Sequence, residues 1–588
     1  MFNADPRSGR KNQPANDETL WIIGGGILTL GIMGVLLWTL GAILDPNVPQ
    51  SSNNPVQILI DQPRGFLPVG GIQIIVFALG LLLLLAVIAM LVVVWRRSRG
   101  TSSRIDHLAK EMSHAKDFKT LEEPAARADA ERLGATKAGI GSPLAKLVNN
   151  KASLFASYEW VQIWLMGPRA GKTSCVCVPQ ILETGGPVLA TSNKRDIVDM
   201  TRGPRARVGA VWVHDVQGII GEEPSWWWNP LSFVTDMETA EKLADVFLAS
   251  ATDAGAKQDA YFESDGKRLL SHLFFAAAVG RRPITDVFAW AQDPEDFTAR
   301  DLLKDHGHLP LANSLEQIQK LTPKQRDGVY GTMRPWVNVL SYDKVIPWVR
   351  HNGANRPEFD HRKLATGTDT LYLISKEGGG SARAITAALV MAVMTEAEKT
   401  AASQPGGRLK TPLTAVLDEA ANVVRWRELP DVYSHYGSRG IVVSTFFQSY
   451  SQGVEAYGEK GMNKLWGAAN IRVAGSGLSD DKFLPFLAQL VGERDVLKRS
   501  SSTSGRTGRS VSSSMQRERI LDVADLAALP RGRAILTSSG MPAGLIELQH
   551  YSTKPYAEDV QDSQRYYEHT AVDCNFPSPK IEKSQTNG

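Results

Sequence analysis

Glycine, lysine and threonine in immediate succession, as at Gly171, Lys172 and Thr173, form a set that can hold phosphate. The glycine lets the backbone come close, the lysine brings a point charge to β- and γ-phosphate oxygens, and the threonine hydroxyl can ligate Mg2+. The surrounding stretch, Leu165 to Val176, reads LMGPRAGKTSCV. The usual loop, G-x-x-x-x-G-K-[ST], would place its first glycine one residue after Leu165. Met166 stands there instead, and Gly167 follows one place late. Gly167, Pro168, Arg169, Ala170, Gly171, Lys172, Thr173 and Ser174 are therefore the candidate nucleotide cradle, with the geometry of its neck left open.

A second constellation lies in TAVLDEA, where apolar residues end in Asp418 and Glu419. At the C-terminal end of a strand, Asp418 would join a Mg2+ shell, and Glu419 would orient or deprotonate an attacking water. The plainer alternative is that both acids favour the start of a following helix. Gln448 closes the apolar run IVVSTFF and could hydrogen-bond a γ-phosphate or the water. Arg439, in GSRG just ahead of that run, suits an arginine finger reaching a neighbouring subunit, although an exposed loop arginine is more often only solvated. The cofactors this set implies are ATP and Mg2+.

A Gly-Lys-Thr tripeptide is a weak signal until elements are placed around it. EWVQIWLM ahead of it is β-rich and CVCVPQIL behind it suits a helix, which would set the loop amides at a helix N-terminus. GGPVLATS, VGAVWVHDV, TLYLI, LTAVL and RGIVVSTFF then alternate with helical stretches, the rhythm of a parallel sheet covered by helices. Lys172 and Asp418 are 246 residues apart, more than a minimal nucleotide domain needs. The sequence from about Met237 to Arg350 is helical in period, as in GKRLLSHLFFAAAV. The expected fold class is α/β, a P-loop nucleotide-binding domain (151–236 and 361–554) with an inserted all-α domain (237–360). Residues 555–588 read as a flexible tail, and KRSSSTSGRTGRSVSSSMQRER, Lys498 to Arg519, as a flexible loop that is either solvated or a nucleic-acid patch.

Ahead of this domain, two uncharged runs, Trp21 to Leu44 and Gly70 to Trp95, each exceed the roughly 20 apolar residues that span a bilayer. They predict two transmembrane helices at 20–44 and 70–95, joined by a short external loop at 45–69. Arg7, Arg10 and Lys11 precede the first and Arg96, Arg97, Arg99 and Arg104 follow the second, while the loop has only Arg64. The positive-inside rule then puts both termini, the tail 1–19 and the linker 96–150, in the cytoplasm. Three cysteines, Cys175, Cys177 and Cys574, make neither a disulfide framework nor a metal site. A net charge of +3 over 588 residues excludes a global cationic field, so any contact with nucleic acid must be local.

GPRAGKTS, TSNKRDIVD, WNPL, DTLYLI, VLDEAAN and SRGIVVSTFFQS, behind two N-terminal spans, occur in the order seen in TraG/TraD-like coupling proteins of type IV secretion and conjugation. The resemblance is to the Gram-positive or actinobacterial type and runs from Trp21 to about Tyr551. It implies a RecA-like nucleotide domain, an all-α domain that selects substrate, and a homo-hexamer in the cell membrane. It also implies Arg439 as finger and Gln448 as sensor. The implied partners are a relaxase–single-stranded DNA complex or secreted proteins, and the components of the secretion channel. Three functions follow from it: a coupling ATPase that moves DNA with its attached protein, the same machine exporting protein only, or a docking scaffold that scarcely hydrolyses ATP.

Overall fold

The computed structural model describes residues 32–49, 55–98, 103–251, 260–353, 355–376, 380–423, 426–503 and 509–570. The chain divides into two units, Met1–Ser103 and Arg104–Gly588.

In the first unit, helices cover Ile32–Leu44, Pro55–Asp61 and Gly71–Ser98. Among the described residues one helix, over Gly71–Met90, is long and apolar enough to cross a membrane. One of the two expected spans therefore meets this test among the described residues. The described part of the earlier run, Ile32–Leu44, is a shorter apolar helix, and residues 20–31 lie outside the described residues. A polar knot ties the three helices together. Gln62 and Gln73 exchange side-chain hydrogen bonds of 2.7 and 3.0 Å, and Trp38 Nε1 donates to Gln62 Oε1 at 2.7 Å. Buried Asp45 accepts from the Gln73 amide at 3.1 Å. Polar groups between apolar helices persist when satisfied in this way.

The second unit is built on strands β1 (Ser142–Leu147), β2 (Ser153–Ala156), β3 (Gln162–Leu165), β4 (Val188–Ser192), β5 (Val211–His214), β6 (Thr370–Ile374), β7 (Leu413–Leu417), β8 (Ile441–Phe447) and β9 (Ile471–Gly475). They are followed by β10 (Glu493–Thr503), β11 (Arg509–Arg519), β12 (Arg533–Ser538) and β13 (Gly544–Glu547). Eleven of them form one sheet in the order β2-β1-β13-β12-β9-β3-β8-β7-β4-β6-β5. From β9 to β5 every pairing is parallel, and from β9 back to β2 every pairing is antiparallel. β6, β7 and β8 are buried at every position. Strands covered on both faces need such unbroken apolar runs, which is why TLYLI, LTAVL and IVVSTFF read so clearly.

Between β5 and β6 the chain forms helices at Met237–Ala251, Ala260–Val279, Thr285–Gln292, Thr298–Asp305, Leu309–Gln319 and Pro323–Val337, with a short one at Ile346–Val349. Among the described residues of 237–360 there is no strand. Trp226 joins this insertion to the sheet: its Nε1 donates to the Val213 carbonyl at 3.0 Å, and its ring lies 5.4 Å from Trp348 and 5.3 Å from Phe359.

Three expectations are corrected. The segment 96–150 is more than a linker, because β1 pairs with β13 inside the main sheet, and buried Arg533 holds Asp106 through two 2.8 Å bonds. SPLAKL hides this strand because Pro143 and Lys146 interrupt its pattern and the register shifts between Pro143 and Ala145. Over its described part, 498–503 and 509–519, the expected flexible loop is a ribbon: β10 and β11 pair without a break in register from Glu493–Arg519 to Thr503–Arg509. The segment 555–588 is no loose tail over its described part, since Ala557–Thr570 is helical and packs on the helix Asp196–Arg205. Val560, Ser563 and Tyr567, at i, i+3 and i+7, are its buried face. Ser563 Oγ donates to the Asp199 carbonyl at 2.6 Å, and the Arg202 guanidinium stacks 3.3 Å over the Tyr567 ring.

Candidate functional site

β3 delivers the chain to the loop at the C-terminal edge of the parallel strands. The Met166 amide donates to the Phe447 carbonyl and the Gly167 amide to the Ser476 carbonyl, each at 3.0 Å. A Cβ on Gly167 would sit 2.1 Å from the Gly477 carbonyl oxygen, so only glycine fits there. Met166 is fully buried, and its Cγ lies 2.8 Å from where a Cβ on Gly475 would be. The neck of the loop is thus intact but shifted. The close-approach glycine has moved one residue on, and Gly475 at the end of β9 and Gly477 just beyond it make room for the methionine and for the loop.

The loop then curls through the left-handed region at Arg169 (φ 60°) and Gly171 (φ 91°). Thr173–Cys177 is a π-type turn that runs on into the helix Val178–Leu182. First-turn amides of a helix have no acceptor within it and carry the positive end of its dipole, which suits an anion. Burial raises the Cys175 and Cys177 thiols, consistent with plain reduced side chains.

Asp418 and Glu419 follow directly on β7 and are both buried. Lys172 Nζ lies 2.8 Å from Asp418 Oδ1 and 2.5 Å from Glu419 Oε1. Gln448, directly after β8, donates from Nε2 to both Glu419 carboxylate oxygens at 3.1 Å. Glu419 itself has φ 54°, a strained value for a residue with a Cβ and one that clusters at functional sites. Burial opposes the Lys172 charge, yet the two carboxylates outweigh it and hold the ammonium above its usual pKa. Burial raises the Asp418 carboxyl, with Lys172 pulling the other way.

Lys172, Asp418, Glu419 and Gln448 are therefore brought together, from three neighbouring parallel strands' ends. The residues fit a nucleotide with Mg2+. Asp418 Oδ1 is a buried carboxylate oxygen in contact with the Lys172 ammonium at 2.8 Å, and it is the kind of ligand a hard cation takes. Thr173 opens the turn behind the loop, where its hydroxyl would be a second oxygen for such a cation.

Arg439 is not brought to this site. It precedes β8, so it lies at the opposite edge of the sheet, about 23 Å away at roughly 3.3 Å for each of seven strand residues. Its Nη1 donates to the Gly407 carbonyl at 3.0 Å. Sequence reasoning missed Thr191, whose hydroxyl donates to the Asp418 carbonyl at 2.8 Å, and the receiving glycines Gly475 and Gly477. The pair in AGSG, spaced to admit a neighbouring backbone, was the available signal for the latter.

Residues 412–531 match the family model described as the TraM recognition site of TraD and TraG. Conjugal transfer protein TraG of Agrobacterium fabrum (strain C58 / ATCC 33970) is 20% identical over 370 residues. That match covers 59% of this chain and 53% of the relative, so the chain spans about half the length of the curated relative it matches. The unbound bacterial conjugative coupling protein TrwBdeltaN70 superposes with a TM-score of 0.51 at 18% identity, over 67% of this chain and 85% of that one. TrwB in complex with ADP and Mg2+ gives 0.50 at 18% identity, over 67% and 85%. TrwB with the GTP analogue GDPNP gives 0.50 at 17% identity, over 67% and 86%.

The fold is thus a RecA-like P-loop fold, with a mixed sheet and covering helices. Within that class, residues 412–531 resemble TraD and TraG in sequence, and two thirds of the chain resembles TrwB in fold.

Proposed function

We propose that this chain is a membrane-anchored coupling ATPase of a type IV secretion (conjugation) system, which recruits a relaxase–single-stranded DNA complex and drives it to the secretion channel. The observation that carries the proposal is the buried Lys172–Asp418–Glu419–Gln448 constellation beside the phosphate loop. The TraG/TraD-like match over 412–531 supports the transport role.

Bound ATP with Mg2+ supplies the phosphoanhydride to be cleaved and a cation that spreads its charge. Lys172 would leave its two carboxylates to meet phosphate oxygens, and Thr173 and Asp418 would hold the cation. Glu419, freed of the lysine but still held by Gln448, takes the proton of an attacking water or fixes its orientation. Gln448 thereby connects the state of the site to β8. The helices of 237–360 select the cargo. Arg439 acts on a neighbour's site within a homo-hexamer, since its place at the far edge of the sheet leaves its own site out of reach.

Transfer assays distinguish the cargo. A donor lacking this chain should lose DNA transfer to recipients, and its re-expression should restore it. Export of a protein substrate restored without any DNA transfer would leave the protein-export function in place of this one.

We further propose two membrane spans with both termini in the cytoplasm, supported by the arginine asymmetry and the apolar helix over Gly71–Met90. A topology reporter inserted at Asn53 should be external and one at Thr101 cytoplasmic. A cytoplasmic signal at Asn53 would remove the hairpin arrangement.

A further inference from the structure

The ribbon β10–β11 belongs to no other sheet, and no part of the function above uses it. Its strands, of 11 residues each, reach about 37 Å at roughly 3.4 Å per residue. Leu497 and Met515, which face each other midway, are 50% and 67% exposed, so nothing else in the described chain covers them. Charge is segregated along its length. The foot is compensated: Glu493, Arg494 and Asp495 stand opposite Arg519, Glu518 and Arg517, with Arg517 Nε 3.6 Å from Asp495 Oδ1. Between Asp495 and Glu518 the sequence has no acidic residue, but it has Lys498, Arg499 and Arg509 on the paired strands and eight serines. The strand register pairs Lys498 with Ser514, Arg499 with Ser513 and Arg509 with Thr503.

Resting on the DNA-transport function proposed above, we propose that the outer half of this ribbon is a binding arm for the phosphate backbone of nucleic acid. Cations interleaved with hydroxyls are the side chains that contact phosphate oxygens. A protein-docking surface needs an apolar or aromatic centre, and from Lys498 to Ser514 the only large apolar residue is Val511. No aromatic residue lies between Glu493 and Arg519 either. The arm therefore lacks a stacking platform and holds backbone alone, without base preference. The other basic pair, Lys194-Arg195, is a poorer candidate, because Arg195 is engaged by Asp199 at 2.5 Å and by the Tyr567 carbonyl at 2.9 Å. Lys498 keeps one partner of its own, Glu518 at 2.6 Å, which phosphate would compete with.

The test uses full-length protein in detergent micelles, titrated with labelled single-stranded and duplex oligonucleotides over a salt series. The triple variant Lys498→Gln, Arg499→Gln, Arg509→Gln should flatten the slope of log affinity against log salt by about 2–3 for either strand form. Its affinity near 0.1 M salt should fall on the order of 100-fold, with nucleotide turnover unchanged. A wild type that binds and a variant with the same slope would overturn the arm and leave the transport function standing. If the wild type binds neither form at low salt, the DNA-transport function falls and takes the arm with it. A variant that changes oligomer size but keeps the wild-type slope would assign the ribbon to a second copy of the chain, which also overturns the proposal.

Discussion

Lys172→Ala should abolish nucleotide binding and, with it, turnover and transfer. The lysine is the one cation set between the phosphate loop and both site carboxylates, at 2.8 Å from Asp418 and 2.5 Å from Glu419. Its loss removes the charge that meets phosphate and leaves two buried acids facing each other. Breaking a buried pair on one side costs about 3–5 kcal/mol, so the variant should also unfold at lower temperature. The pH dependence separates the two effects. Asp418 already has its carboxyl raised by burial, so the folded state holds that proton more tightly than the unfolded chain does. Such a group stabilises the fold below its unfolded pKa and loses that contribution as pH rises through the folded value. Without Lys172 the carboxyl rises further, so the stability lost near neutral pH should return as pH falls towards the carboxylate range. Thermal unfolding across that range reads the stability effect, and nucleotide titration reads the binding effect. Lys172→Arg keeps the charge and the fold, but a planar fork replaces a point charge, so binding should fall while stability holds. Mixing Lys172→Ala with Arg439→Ala subunits should restore part of the turnover, because an intact loop can then face an intact finger. A mixture as inactive as Lys172→Ala alone would remove the trans role of Arg439, and normal transfer by Lys172→Ala would make the chain a scaffold.

The sequence announced the parallel half of the fold and concealed the antiparallel half, for one physical reason. β6, β7 and β8 are interior strands of the parallel half and are buried at every position, so burial forces unbroken apolar runs. β1 carries Pro143 and Lys146 and changes register after Pro143, so its pattern never repeats. The ribbon β10–β11 belongs to no larger sheet and shows no apolar alternation, which makes its serines and arginines resemble a loop. The site was legible for a different reason. Asp418, Glu419 and Gln448 come straight after apolar runs and Lys172 lies in the loop that follows another, and parallel pairing places those strand ends side by side. What a linear pattern could not give was the third dimension of the neck. Gly167 is required by Gly477, which is 310 residues further along the chain.

Glu419→Gln should bind nucleotide normally and turn it over about 10²–10⁴ times more slowly, the usual cost of losing an acid–base group. The substitution keeps the shape of the side chain and removes its capacity to take a proton. Binding should survive because Lys172 retains Asp418 as a partner and remains free to meet phosphate. The backbone argues for catalysis over mere helix initiation. An acid placed only to favour the start of Ala420–Val423 has no need of φ 54°, a conformation that costs of order 1–3 kcal/mol. That strain aims the carboxylate at Lys172 and Gln448 instead of along the helix. Gln448→Ala, which removes both 3.1 Å bonds to the carboxylate, should lower turnover less than Glu419→Gln does and leave nucleotide affinity unchanged. Steady-state turnover beside nucleotide titration separates these outcomes. A Glu419→Gln protein with a turnover rate within about threefold of wild type would show that the interaction made only in the transition state lies elsewhere, and the acid would then be a structural partner of Lys172.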